Sequence, residues 1–253
     1  MFLTFDHLKF RYEPFPIGLA KPVMDDSTYQ ECLKNYPPLE IFESYGDMGK
    51  QGKKFTLSEK ENRKKYLDFI NSNSLWKEFH SWVKSDEFVY KILDTLRAHY
   101  IDLGYYYAPS AKRLFYRIRD HLNLRSTQRS ERLRSRFEFS ALPADGGAVV
   151  PHTDAPTKIA TLVVSMAGDG EWSPEFGGGT DLNRPKDDKL CFNHLNRLAG
   201  FEDMEVLETF EFTPNQAVMF VRTFNSWHSV RPMTGVGSPL LRKTLTIVIE
   251  AGV

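Results

Sequence analysis

The chain has 253 residues, of which 41% are hydrophobic and 13% aromatic, so it is long enough for one substantial core or for two small domains. Its 33 basic and 33 acidic residues give a formal net charge of zero, which excludes a whole-molecule field that would attract nucleic acid or a membrane surface. The two cysteines, Cys32 and Cys191, form no CxxC pair. This argues against a disulfide framework or a thiolate metal site.

The first residues, MFLTFDHLKFRYEPF, carry early charges and contain no continuous apolar segment. They therefore do not resemble a signal peptide. No stretch of the sequence approaches the roughly 18 apolar residues of a membrane span. We expect a cytoplasmic protein without a membrane partner.

Up to about residue 135 the hydrophobic pattern is mostly helical. Asp26 or Ser27 would be a suitable N-cap for a short helix that must end before the prolines at 37 and 38. Amphipathic segments follow in TLSEKENRKKYLDFINSN and SLWKEFHSWVKS, and a further helix is predicted to start at Ser85 and end at Gly104. Aromatic residues at helical spacing in these segments are interpreted as core residues.

From residue 136 onward the period of the hydrophobic pattern shortens toward two residues. RFEFSALP, KIATLVVSM, VLETFEFTP, QAVMFVRTF and RKTLTIVIEAG are short β-branched and aromatic runs, separated by Gly, Pro, Asn and Asp. Several short strands without alternating helices predict an antiparallel sandwich or barrel. We predict an α+β fold in one domain, 1–253. Its core, 136–253, would be a double-stranded β-helix (jelly-roll), with the helices of a mainly helical region, 1–135, packed on one face.

The segment VPHTDAPTKIATLVVSM places His152 and Asp154 two residues apart at the head of a buried strand. Residues i and i+2 of a strand project from the same face, so both side chains can point into a barrel mouth while Thr153 points away. Such a pair also arises by chance and is weak evidence by itself. A metal site requires a third ligand.

His228, in FNSWHSVRPM, can supply that ligand, because it follows the run AVMFVRTF on what would be another strand of the same sheet. Two histidines and one carboxylate make the facial triad of non-haem Fe(II) oxygenases, which leaves positions open for a cosubstrate and O2. The same three ligands could hold zinc in a hydrolase, so ligand identity leaves both chemistries open.

Arg242 distinguishes between the two chemistries. It opens the last strand, and alternation places Arg242, Thr244 and Thr246 on one face, with Lys243 on the other. A guanidinium buried in a barrel needs a carboxylate, which a dicarboxylic cosubstrate would provide in a bidentate pair. Hydrolytic zinc has no need of such a group.

The H-x-D motif, the later histidine and the Arg-x-x-Leu-Thr strand together resemble the Fe(II)/2-oxoglutarate-dependent dioxygenases, more particularly their prolyl 4-hydroxylase-like branch. The resemblance covers about residues 136–253. It implies that His152, Asp154 and His228 are the catalytic iron ligands. It also implies that Arg242 binds the distal carboxylate of 2-oxoglutarate.

The segment EFGGGTDLNRP resembles the glycine-rich turn and following strand of this branch, with Gly178 and Gly179 matching it. Relatives often place a tyrosine where it shares the distal carboxylate. This chain offers Ser165 there, with Thr161 earlier on the same strand, so both are predicted cosubstrate contacts. Lys243 would take over the carboxylate if the strand register slipped by one residue.

The resemblance implies that 2-oxoglutarate and O2 are converted to succinate and CO2 while a substrate is hydroxylated. The retained Asp154 favours hydroxylation over halogenation, because a halogenating relative has a small residue there. A peptidyl-prolyl group, an amino acid or another small molecule would each be a compatible substrate. One alternative is a nucleic-acid dealkylase of the same superfamily, although its usual second arginine is absent from residues 244–250. The other is a non-catalytic, cupin-like metal-binding barrel, against which the complete set of ligands argues.

A basic stretch runs from Lys112 to Arg136, with nine basic residues against two acidic ones. A solvated surface is the simplest interpretation, an anionic substrate is a functional one, and nucleic acid is the least favoured. Arg136 is the best single candidate to contact substrate, because its strand leads into the metal motif. The isolated His121 and His194 are not predicted as ligands. The segments 183–205 and ESYGDMGKQGKKF are candidates for substrate recognition, since loops carry specificity, and an ordinary surface insertion is the alternative interpretation.

Overall fold

A computed structural model describes residues 2–45, 54–105 and 133–251. The helices are α1 (Asp26–Lys34), α2 (Arg63–Ser72), α3 (Ser74–Val83) and α4 (Asp86–Ala98). The strands are β1 (Lys9–Arg11), β2 (Ile17–Ala20), β3 (Glu43–Tyr45), β4 (Lys54–Ser58), β5 (Leu133–Pro143), β6 (Val149–His152), β7 (Lys158–Ser165), β8 (Thr180–Pro185), β9 (Met204–Phe210), β10 (Ala217–Val221), β11 (His228–Val230) and β12 (Leu241–Ala251). Among the described residues, no helix is both long and apolar enough to cross a membrane.

The strands form two sheets in which all neighbours run antiparallel. The large sheet has the order β1-β2-β10-β7-β12-β5-β4-β3, and the small sheet has the order β6-β11-β8-β9. From β5 onward the chain passes repeatedly between the two sheets, because β5, β7, β10 and β12 belong to the large one and β6, β8, β9 and β11 to the small one. The predicted mixture of helices and antiparallel sheet is confirmed.

Helices cover one face of the large sheet, as predicted. Phe137 and Phe139 of β5 and Leu245 of β12 lie in the same buried core as residues of α3. The rings of Phe139 and Trp76 meet edge-to-face with centroids 4.8 Å apart, and Phe137 meets Phe79 at 5.1 Å. Each such buried aromatic stabilises the fold by roughly 1.5–3 kcal/mol through the area removed from water.

The opposite face of the large sheet is turned toward the small sheet. Val218 and Phe220 of β10 share a buried cluster with Leu182 of β8. Leu142 of β5 shares another with Val230 of β11. The two sheets therefore pack face to face, and side chains that alternate inward from both of them line the space where the site forms.

The N-cap of α1 differs by one residue from the prediction. Asp25 caps the helix, with Oδ1 accepting a hydrogen bond from the Thr28 amide at 2.9 Å. Asp26 and Ser27 lie in the first turn instead. Adjacent Asp, Asp and Ser residues are all good caps, so composition alone does not choose between them.

Helix α4 starts as predicted but ends earlier. The Ser85 hydroxyl accepts a hydrogen bond from the Phe88 amide at 3.2 Å, which confirms this N-cap. The helix ends at Ala98 rather than at Gly104, because Tyr100 adopts a positive φ of 61° that α-helical backbone does not allow. The chain thus leaves the helix before it reaches the glycine.

The region 1–135 contains strands as well as helices. β1 and β2 extend one edge of the large sheet, and β3 and β4 extend the other. Each has only three to five residues, which is too short for a period of two to stand out in the sequence. β5 begins at Leu133, slightly before the predicted boundary at 136.

Candidate metal centre

Two neighbouring strands of the small sheet bring the two predicted histidine ligands together. His152 ends β6, His228 begins β11, and the antiparallel register pairs the two residues directly. Their ring centroids lie 4.3 Å apart. Asp154 follows two residues after the end of β6, in the connection to β7. The three predicted ligands thus lie at one end of the space between the sheets.

One potential ligand atom from each of His152, Asp154 and His228 lies within 4.8 Å of the other two. The predicted convergence of the three side chains is confirmed. Two imidazole nitrogens and one carboxylate oxygen are the donor set of the non-haem iron facial triad. These residues therefore fit a first-row divalent metal ion in both number and donor type.

Backbone carbonyls fix the orientation of both imidazoles. Nδ1 of His152 lies 2.9 Å from the carbonyl oxygen of Val150, and Nδ1 of His228 lies 2.9 Å from that of Ser226. A carbonyl oxygen only accepts hydrogen bonds, so each Nδ1 carries the proton and donates it. Nε2 of each ring is left with a lone pair for a metal. Metal-binding histidines are commonly held in this way by a hydrogen bond from the other ring nitrogen.

The protonation states also suit metal binding. Burial, together with the neighbouring His228, lowers the pKa of His152 from 6.5 to about 3, against the opposing effect of Asp154. Burial likewise lowers the pKa of His228. Burial raises the pKa of Asp154, but Lys158 and the two imidazoles outweigh it, and the net pKa is below its ordinary value. At neutral pH the site presents two neutral imidazoles and one carboxylate, as ligation requires.

The carboxylate of Asp154 is held on both oxygens by residues of β7. Nζ of Lys158 donates to Oδ1 at 2.5 Å, and the hydroxyl of Thr161 donates to Oδ2 at 2.6 Å. Asp154 is 3% exposed, so these contacts replace water around a buried charge. Lys158 was not predicted as a site residue. The available signal was a lysine at the head of an otherwise apolar strand, four residues after Asp154.

The long connection between β8 and β9 is attached to the metal-binding segment. The buried Thr153 donates its hydroxyl hydrogen to the carbonyl oxygen of Asn193 at 3.0 Å. Arg222 donates to the backbone carbonyls of Asp154 at 3.3 Å and His194 at 2.8 Å. Part of the predicted recognition segment 183–205 therefore lies beside the site. These contacts join residues far apart in sequence, and no local pattern indicates them.

Arg242 is buried on the inner face of β12, with 5% of its surface exposed. Its Nε donates a hydrogen bond to the carbonyl oxygen of Gly178, and its guanidinium carbon lies 4.8 Å from the centre of the Phe212 ring. Burial lowers its pKa to about 10. Within the described residues no carboxylate pairs with it, so a charged guanidinium stands in the protein interior without a counter-ion.

The glycine turn before β8 has room only for glycine. Gly178 has a φ of +85°, and a Cβ there would lie 3.1–3.2 Å from Met233, Trp172 and Arg242. A Cβ on Gly179 would lie 2.6 Å from Thr209. Gly178 thus allows the backbone to approach the arginine closely, and Gly179 allows it to approach Thr209 of β9.

Ser165 and Thr161 occupy different positions relative to the site. Ser165 is buried and is paired in register with Thr244, which lies two residues from Arg242 on the same face of β12. Its role as a cosubstrate contact stays a prediction. Thr161 lies nearer the metal ligands, and its hydroxyl is already bound to Asp154. Lys243 faces the other side of the sheet, with Nζ 5.8 Å from the centre of the Tyr36 ring, so the shifted register does not occur.

Arg136 forms ion pairs with acidic residues of the large sheet. Its guanidinium lies 3.2 Å from Glu138 and 3.3 Å from Glu250. A substrate anion would have to displace one of these carboxylates, so the structure gives no support to an anion-binding role. Contact with substrate stays a prediction.

Three further predictions fall partly or wholly outside the described residues. His121 and the basic stretch up to residue 132 lie outside them, as do residues 46–53 of the segment ESYGDMGKQGKKF. His194 is described and exposed, and it does not belong to the cluster of potential metal ligands.

Comparison with known proteins gives matches among solved structures only. No protein-family model and no curated protein matches the sequence. A non-haem α-ketoglutarate-dependent epimerase of nogalamycin biosynthesis, SnoN, has a similar structure, with a TM-score of 0.52 and 12% identity over 95% of this chain and 80% of that one. The chain shares the fold of this non-haem, α-ketoglutarate-dependent enzyme. The predicted resemblance is confirmed at the level of the fold.

Prolyl hydroxylases are also among the matched structures. A prolyl 4-hydroxylase of Pseudomonas putida aligns at 11% identity and a TM-score of 0.48, over 93% of this chain and 92% of that one. A Trichoplax adhaerens prolyl hydroxylase, in complex with a hypoxia-inducible-factor peptide fragment, has the same identity and TM-score over 93% of this chain and 83% of that one.

Proposed function

We propose that the protein is an Fe(II)- and 2-oxoglutarate-dependent dioxygenase that hydroxylates a peptidyl-prolyl group, an amino acid or another small molecule, with release of succinate and CO2. One observation carries the proposal. A triad of two neutral imidazoles and one carboxylate shares the space between the sheets with a buried guanidinium that has no carboxylate partner among the described residues.

We also propose that β5–β12 form a double-stranded β-helix. The support is the strand order, in which β10-β7-β12-β5 of the large sheet face β6-β11-β8-β9 of the small one. In this arrangement His152 and His228 project from the small sheet, Asp154 from the connection that follows β6, and Arg242 from the large sheet. The prolyl 4-hydroxylase-like branch stays a prediction.

Each side chain would have a separate task. His152, His228 and Asp154 would hold Fe(II), which when bound supplies the activation of O2 that side chains cannot perform. Arg242 would bind the distal carboxylate of 2-oxoglutarate and so orient the cosubstrate relative to the metal ligands. Ser165 would donate a hydrogen bond to the same carboxylate. The apolar walls formed by Phe220 and Leu182 would exclude water from the space around the metal ligands.

A cytoplasmic location is part of the proposal, and two free cysteines, Cys32 and Cys191, are compatible with a reducing compartment.

The direct test is turnover of 2-oxoglutarate to succinate by the full chain with Fe(II) under air. We expect succinate to form even without the natural substrate, slowly, and to disappear in the His152→Ala and His228→Ala variants. His194→Ala is the matched control, because this exposed histidine lies outside the triad.

Two results would contradict the proposal. One is the absence of Fe(II)-dependent succinate formation by a folded wild-type chain in the presence of a broad set of amino acids and prolyl peptides. The other is turnover in His152→Ala equal to that in His194→Ala. A screen of the same mixtures by mass spectrometry for products heavier by one oxygen atom would identify the substrate class.

A further inference from the structure

Lys158 forms the most closely held ion pair in the site, and the triad does not explain it. Its ammonium lies 2.5 Å from Oδ1 of Asp154, a carboxylate whose side chain is only 4% exposed. The Lys158 side chain itself is 21% exposed, so it extends from the protein surface toward the buried carboxylate. Among the described residues, Lys158 is the only cation in an ion pair with this carboxylate.

This ion pair stabilises the buried carboxylate while no metal is bound. A buried carboxylate without a positive partner is strongly disfavoured, because the interior solvates charge poorly. The imidazoles of His152 and His228 are neutral, and neither forms an ion pair with that carboxylate. Lys158 therefore supplies the positive charge at Asp154 that a metal ion would otherwise supply.

A metal ion and the Lys158 ammonium cannot both sit beside Asp154 without cost. A divalent ion between His152, His228 and Asp154 would bring two positive charges close to a third, and like charges at such distances repel. Binding of the metal must weaken the contact between Lys158 and Asp154.

The strand register provides an alternative partner for Lys158. Glu250 of β12 is paired directly with Lys158 of β7. The Glu250 side chain is 28% exposed, and its described ion pair, with Arg136, is rather long at 3.3 Å. A carboxylate has about four lone-pair sites, so Glu250 can accept a second cation.

We propose that Lys158 acts as a counter-ion for Asp154 in the metal-free protein and transfers to Glu250 when a divalent metal ion binds. Lys158 is thus a positioning residue that lowers the affinity of the site for metal and keeps the empty site folded. The inference rests on the proposed function only in requiring that the triad bind a divalent ion.

The test measures Co(II) binding to the full chain by titration calorimetry, so that no turnover is needed. We expect Lys158→Met to bind Co(II) about tenfold more tightly than the wild type, a change of about 1.4 kcal/mol. Lys158→Arg keeps the charge and should bind as the wild type does. The matched control is Thr161→Val, which removes the neutral hydrogen bond to the same carboxylate and should not tighten binding.

The metal-free variants give a second readout. Metal-free Lys158→Met should melt below the wild type, and the rise in melting temperature on adding Co(II) should be larger than in the wild type. If Lys158→Met does not fold, Lys158→Gln retains a neutral donor to Asp154 and should show the same tightening.

Glu250→Gln tests the second half of the exchange. The variant should weaken Co(II) binding in the wild-type background. It should have no effect in the Lys158→Met background, because that background lacks the ammonium that Glu250 would accept. An equal effect in both backgrounds would show that Lys158 does not move to Glu250.

The failures of the two proposals are distinguishable. A wild-type chain that binds no Co(II) would overturn both the proposed function and the counter-ion role. A chain that binds Co(II) and converts 2-oxoglutarate, but whose Lys158→Met variant binds Co(II) equally or more weakly, would overturn the counter-ion role alone.

Discussion

Arg242 and Gly178 are joined by a hydrogen bond from the guanidinium Nε to the glycine carbonyl oxygen. The last strand and the turn before β8 therefore hold the arginine between them. Nε is used in this contact, and within the described residues neither of the two terminal nitrogens has a hydrogen bond. They are suited to a bidentate contact with a carboxylate.

Replacing Arg242 with methionine should raise the apparent KM for 2-oxoglutarate by at least about tenfold, because a buried charge pair is lost. Arg242→Lys should be intermediate, since an ammonium cannot form the bidentate contact. The measurement is succinate formation over a range of 2-oxoglutarate concentrations. Lys243→Met is the control, because the neighbouring lysine lies over Tyr36 on the other face. Equal KM values for Arg242→Met and Lys243→Met would contradict the assignment.

Gly178→Ala should lower the free energy of unfolding by about 1–3 kcal/mol, since a Cβ is unfavourable at positive φ and would crowd its neighbours. Its nearest contacts would be Met233, Trp172 and Arg242. Gly237→Ala separates the two effects, because Gly237 also has a positive φ, of 72°, but has open space around its Cβ position. Urea unfolding measures the free energy of unfolding of both variants. Equal losses in the two variants would show that crowding beside Arg242 contributes nothing.

Acidification should destabilise the fold through His80, a residue remote from the metal ligands. Burial, with a smaller contribution from Lys84, lowers the pKa of His80 below 6.5. In the unfolded chain the imidazole takes up a proton near its ordinary pKa, whereas in the folded chain it takes up a proton only at lower pH. The folded state therefore loses stability as the pH falls below about 6.5.

His80→Phe should reduce this loss, since a phenyl ring does not titrate and its neighbours Tyr66 and Phe137 are aromatic. The free energy of unfolding would be measured in urea at pH 8 and pH 5, with a chelator present so that metal binding does not contribute. Parallel changes in wild type and variant would show that His80 is not responsible.

Thr153→Val should loosen the connection that lies beside the metal site. The variant removes the hydroxyl that donates to the carbonyl oxygen of Asn193, and a buried carbonyl left unpaired costs about 1–3 kcal/mol. We expect faster amide hydrogen exchange in residues 191–199. Thr95→Val is the control, because it removes a similar hydrogen bond, of 2.7 Å to Lys91, within α4. Unchanged exchange in Thr153→Val would contradict this role.

The sequence predicted the parts of the site that follow from alternation along a strand. The position of Arg242 on the face opposite to Lys243 depends only on backbone geometry and was predicted correctly. His152 and Asp154 converge as predicted, but they do not share a strand, because β6 ends at His152 and Asp154 lies in the connection to β7. Their convergence with His228 required the pairing of β6 with β11. The sequence predicted that His228 lies on another strand of the same sheet, but it did not determine which strands are neighbours.

The remaining contacts depend on turns and on register, which single-sequence patterns do not determine. Lys158 reaches Asp154 across the connection between β6 and β7, and the bond from Thr153 to Asn193 joins distant segments. The strands β1–β4 were missed because short edge strands have little hydrophobic periodicity. Thr161 was predicted as a cosubstrate contact. Its hydroxyl donates to Asp154, and a contact with the cosubstrate stays a prediction.

Asp154 belongs to a connection between strands, yet both of its oxygens are held from β7, which is paired on one side with β10 and on the other with β12. Central strands of a sheet open only in the most extensive unfolding events. The carboxylate should therefore keep its position during the local fluctuations that ordinarily displace loop residues. Metal affinity and global folding should consequently be lost together, in one cooperative transition.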